Sequence, residues 1–165
     1  MVAEEHDERI PYQRALRVIG RHLDAEPAYH VSILEVADGF TVRSHPARHR
    51  TDGRIVHFKW DRLQDLVIFH TAGRDCARRR YRHQGIWANF PSGHEDFFRA
   101  LGFTLDSEEA TSLSVDEVPE GVGVSYMRPS PENPLSFEKC HTVYHKREIE
   151  AMLRAAQQRR GQPVT

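Results

Sequence analysis

The chain of 165 residues has only two cysteines, Cys76 and Cys140, and they lie 64 positions apart with no CxxC spacing. That excludes a disulfide scaffold and a closed cysteine zinc site, and it fits a reducing, cytoplasmic setting. No apolar run is long enough to cross a membrane, and the opening MVAEEHDERI is too acidic for a secretory leader. There is no phosphate-binding GxxxxGK[ST] loop, no GxSxG and no HExxH. No cofactor is expected. Net charge is 23 − 24 = −1, so no overall field draws the chain to nucleic acid. Lysine is scarce as well: 20 of the 23 basic residues are arginine.

What the sequence does contain is a stretch that occurs twice. Residues 12–46 and 94–128 align without a gap at an offset of 82, with 11 of 35 positions identical. The identities include Arg17/Arg99, Gly20/Gly102, Asp24/Asp106, Glu35/Glu117 and Gly39/Gly121. A tandem duplication follows. Each unit reads helix–strand–strand–strand–helix, because apolar spacing passes from a period near 3.6 to one of 2 and back. The expected fold is α+β: antiparallel sheet with flanking helices, related by a pseudo-twofold. Residues 1–10 are a flexible lead-in, 11–73 repeat one, 74–93 a basic connector, 94–161 repeat two and 162–165 a tail. Two units this small need a shared core, so the repeats should pack as one domain.

In the first helix Tyr12, Leu16, Ile19 and Leu23 form one stripe, matched by His94, Phe98, Leu101 and Leu105. Gly20 and Gly102 adjoin these stripes. A mid-helix glycine costs about 1 kcal/mol against alanine, so both predict close backbone approach to another element. Asp38-Gly39 and Glu120-Gly121 read as two-residue type I′ turns. That register places Val31, Ile33, Glu35, Phe40 and Val42 on one face, and Leu113, Val115, Glu117, Val122 and Val124 on its counterpart. Asp24 and Asp106, at helix ends, read as turn-makers bonding nearby amides.

Glu35 and Glu117 thus fall on apolar faces, where a carboxylate must be paired or neutralised. Arg17 and Arg99 are the expected salt-bridge partners. Paired catalytic carboxylates of a small hydrolase are the alternative. Histidine pairs His45/His49 and His141/His145 have HxxxH spacing, but His141 falls in a predicted strand, where four residues span about 13 Å, and His45/His49 falls in a polar loop and reads as surface histidine, so no metal site is expected.

The strongest binding signal is unduplicated. Residues 74–83 hold five arginines and one aspartate, whereas 104–120 holds six acids and no base. Arg78, Arg79, Arg80 and Arg82 suit phosphate oxygens, with Arg48 and Arg50 extending the patch and Tyr81 or Trp87 stacking on a base. The expected function is non-enzymatic binding, with another protein or a second copy as partner. The basic first half would oppose an acidic face in the second. Nucleic-acid binding through the arginine run is the alternative, and no membrane partner is expected.

Overall fold

The computed structural model describes residues 10–47, 53–72, 87, 90 and 92–161. They form an α+β fold of four helices and one six-stranded antiparallel sheet. In chain order the elements are α1 (Tyr12–Ala25), β1 (Tyr29–Val36), β2 (Gly39–His45), β3 (Arg54–Lys59) and α2 (Trp60–Ala72). They continue as α3 (Gly93–Ser107), β4 (Thr111–Val118), β5 (Gly121–Pro129), β6 (Phe137–His145) and α4 (Lys146–Gly161). The strand order β3-β2-β1-β4-β5-β6 makes the sheet continuous, joined at its centre by β1 and β4. Among the described residues no helix is long and apolar enough to cross a membrane.

Local chemistry sets the element ends. Pro11 precedes α1 and its carbonyl accepts the first helical bonds, from the Arg14 and Ala15 amides at 3.0 and 3.1 Å. Pro27 pushes Glu26 to an extended backbone (φ −138, ψ 158), which ends α1 at Ala25. After α3, Glu109 takes a left-handed conformation (φ 56) and the Ala110 amide reaches back to Leu105 O at 3.0 Å, closing the helix.

Both hairpins turn one residue earlier than expected. Val36 pairs with Gly39 and Val118 with Gly121, so the loops are Ala37-Asp38 and Pro119-Glu120. Neither Ala37 nor Asp38 has positive φ, so the first turn is not type I′. The glycines answer a different demand. Gly39 and Gly121 have φ of 155 and 154, and a Cβ would meet Phe58 O at 1.8 Å and Tyr144 O at 2.0 Å, respectively. The pairing moves by two residues, not one, so the faces survive: Ile33 lies opposite Val42, and Glu35 opposite Phe40.

The two halves also bulge at counterpart places. Strand register shifts between Tyr29 and Ser32 and between Thr111 and Ser114. His30 and Ser112, 82 apart, are both left-handed there, with φ of 52 and 55. The helices share one core with one face of the sheet. Leu16, Ile19, Leu23, Phe98, Leu101 and Leu105 pack on Ile33, Phe40, Val42, Leu113, Val115 and Val124, all at most 2% exposed. Among the described residues no helix covers the opposite sheet face, which shows Leu34, Ile55 and Phe137.

Candidate functional site

The site grows from the crossing of α1 and α3, which run antiparallel across the middle of the sheet. A Cβ on Gly20 would stand 2.6 Å from His94 O, and one on Gly102 2.4 Å from the Gln13 Cα. Each glycine therefore lets the start of the other helix approach. Neither helix has a side-chain cap of its own. Each is capped by an aspartate from the far end of its partner. Asp24 accepts the amides of His94 (3.1 Å) and Glu95 (3.0 Å), and Asp106 those of Tyr12 (2.8 Å) and Gln13 (3.1 Å). These carboxylates face the positive ends of the helix dipoles. They are inter-helix caps, not the local turn-makers expected from their positions.

Tyr12 and His94, counterparts in the two halves, each reach towards a strand glutamate. The Tyr12 hydroxyl donates to Glu35 Oε1, which also accepts the Leu113 amide at 3.4 Å. That amide follows the left-handed Ser112, so the bulge in β4 turns it towards the neighbouring strand. His94 is fully buried, bonds Asp24 through Nδ1 at 3.0 Å and places Nε2 3.9 Å from Glu117. Burial opposes charge on this imidazole. The hydrogen bonds and charges of Asp24 and Glu117 outweigh it and raise its pKa above the usual histidine value.

The expected salt bridges do not form. Arg17 pairs with Glu95 at 3.0 Å, and Arg99 lies over the Phe103 ring at 5.8 Å. Glu35 and Glu117 satisfy their charge with tyrosine, backbone and indole donors instead. Nor do the two glutamates come together. Ile33 faces Val115 across the central pair, so Glu117 falls level with residue 31. Four residues of strand separate it from Glu35, about 14 Å. Two carboxylates sharing a glycosidic reaction centre stand roughly 5–9.5 Å apart.

Trp87 corrects a second expectation. It is 6% exposed, not a surface ring awaiting a base. Its indole stacks on His94 with centroids 4.3 Å apart and planes at 24°, and its Nε1 donates to Glu117 Oε1 at 3.2 Å. Phe90 is buried beside it. The other sequence-derived binding residues, Arg48, Arg50, Arg78, Arg79, Arg80, Tyr81 and Arg82, lie outside the described residues. Four of the six acids of the acidic stretch are already engaged. Asp106 caps α1, Glu108 binds Arg128 at 3.1 Å, Asp116 accepts from Ser32 at 2.8 Å and Glu117 holds Trp87. Among the described residues no group of three histidine, cysteine or acidic side chains could hold a metal ion.

Beside Glu35 the first half leaves a half-open pocket of about 410 Å³. Its wall includes Tyr12, Glu35, Trp60, Asp106, Glu109 and Thr111. Trp60 is 8% exposed, and its indole N–H has no hydrogen-bond partner among the described residues. Sequence reasoning missed this pocket because it forms between the start of α1 and the end of α3, segments about 95 positions apart. No protein-family model, curated protein or solved structure matches the chain.

Proposed function

We propose that the chain is a non-enzymatic binding protein and that its recognition site is the pocket beside Glu35. The observation carrying this reading is the pocket's make-up. It has an apolar and aromatic wall, a carboxylate fixed by Tyr12 and the Leu113 amide, and a volume within the range of small-ligand sites. The residues around Glu35 do not amount to catalytic machinery. Its polar neighbours there are the acids Asp106 and Glu109, the Thr111 hydroxyl and a tyrosine already donating to it, and no other hydrogen bond there joins a nucleophile to a base among the described residues. The hydrolase alternative needed Glu35 and Glu117 together, and the strand register keeps them apart. The nucleic-acid alternative loses Trp87 to the core and rests on the arginine run with Arg48, Arg50 and Tyr81.

The test is a fragment screen on the isotope-labelled full chain, read as amide shifts. Binding should move Tyr12, Thr111 and Leu113 together. Shifts that gather elsewhere, or none at all, would reject the pocket as the recognition site. Turnover of model esters, glycosides or phosphate esters that disappears in Glu35→Gln would return the chain to the enzymes.

A further inference from the structure

We infer that the pocket beside Glu35 takes a flat aromatic ring carrying an N–H donor, an indole-type group, in the position that Trp87 fills beside Glu117. This rests on the pocket being the recognition site, and the protein supplies its own template. The contacts of the Trp87 ring include the Glu117 carboxylate, the His94 ring, the edge of the Phe97 ring and Gly93, where a Cβ would meet its Cε3 at 3.1 Å. Subtracting 82 from Glu117 and His94 gives Glu35 and Tyr12, and both line the pocket.

The chemistry of Glu35 agrees. Both of its hydrogen bonds, from Tyr12 and from the Leu113 amide, go to Oε1. Oε2 has no partner among the described residues, and a carboxylate oxygen is an acceptor only. A ligand meeting it must donate, as the Trp87 indole donates to Glu117. The surrounding wall of Tyr12, Trp60 and Ala110 suits a ring face, since aromatic pairs favour stacked or edge-on contact. Charge narrows the class further. Among the described residues the lining holds Glu35, Asp106 and Glu109 and no arginine or lysine, so it disfavours an anionic ligand. The indole-type group can be a free neutral or cationic small molecule, or a tryptophan side chain on a partner's segment.

Indole, 1-methylindole, indole-3-acetate and cyclohexylamine serve as probes, titrated into the labelled full chain. Indole should move the Leu113 amide and the Trp60 indole N–H. The 1-methyl compound, which keeps the ring and loses the donor, should bind on the order of tenfold more weakly. Indole-3-acetate should also bind more weakly than indole. Glu35→Gln should weaken indole and leave 1-methylindole unchanged. Equal binding of indole and 1-methylindole would overturn the donor assignment. Cyclohexylamine moving these signals where indole does not would overturn the ring assignment and leave the pocket as the recognition site. Silence from every probe would overturn both. Trp87→Ala should open the counterpart pocket, and indole should raise the melting temperature of that variant more than that of the parent. An equal rise would refute the template. If the variant does not fold, the indole pair on the parent chain still decides. A tryptophan-bearing peptide that binds tighter than indole would identify a protein segment as the source; equal or weaker binding would identify a small molecule.

Discussion

Gly102→Ala sets two principles against each other with opposite signs. Within a helix, alanine is favoured over glycine by about 1 kcal/mol. At this position the new methyl would lie 2.4 Å from Gln13 Cα and 2.5 Å from Gln13 N. Carbon atoms pack best at roughly 3.5–4.0 Å, so the shortfall is about 1 Å and the obstacle is backbone, which cannot rotate away. The helices must part, and overpacking of this kind costs about 1–3 kcal/mol. The parting occurs where Asp106 holds the Tyr12 and Gln13 amides at 2.8 and 3.1 Å, so the α1 cap weakens with it. The expected net loss is about 1–2 kcal/mol despite better propensity. In urea, with m of about 1–3 kcal/mol/M, the midpoint should fall by roughly 0.3–2 M at unchanged m. Gly20→Ala should behave alike. Gly123→Ala is the control, because its nearest neighbour would stand at 3.7 Å. A Gly102→Ala chain as stable as the parent would refute the close crossing.

Three further outcomes follow from the same contacts. Asp24→Ala and Asp106→Ala should each cost at least the ~0.5–2 kcal/mol of a lost helix cap. Asp24→Ala should cost more, because Asp24 is 5% exposed and also holds the His94 ring; equal losses in chemical denaturation would contradict this. The raised pKa of His94 means the folded state holds its proton more tightly than the unfolded chain does. That contribution is complete below the unfolded value of about 6.5 and is lost as pH rises through the folded pKa. Thermal melts should therefore weaken above that pH in the parent and less so in His94→Gln; identical pH profiles would exclude the linkage. For the arginine run, a single-stranded oligonucleotide should show little binding at physiological salt. A tight complex with a steep salt dependence, abolished by replacing Arg78, Arg79, Arg80 and Arg82, would establish the nucleic-acid reading instead.

Periodicity carried most of the fold, because side-chain spacing answers to local geometry. The stripes of Tyr12 and His94, the alternation around Ile33 and Val115 and the two mid-helix glycines all describe nearest-neighbour demands. The hairpin register shows how far such reasoning reaches. Placing the turn one residue late shifted the pairing by two, and a period of two preserves the faces under that error. Contacts set by tertiary approach were not legible. Arg17 was assigned to Glu35 because both recur at one offset, yet Tyr12 lies nearer and Glu95 arrives from the other helix. Asp24 and Asp106 reach amides 70 and 94 positions away. Trp87 lies in an unduplicated, arginine-rich stretch, which made it read as an exposed ring for stacking on a base. Its burial follows from contacts with Glu117 and His94, which a pattern of identities does not display.

A crystal structure of the chain with indole addresses the central claim most directly. The account predicts ring density against Tyr12 and Trp60, with the ring nitrogen in hydrogen-bonding range of Glu35 Oε2 and Trp87 undisturbed beside Glu117. Indole bound away from Glu35, or seated there with its nitrogen turned from the carboxylate, would contradict it.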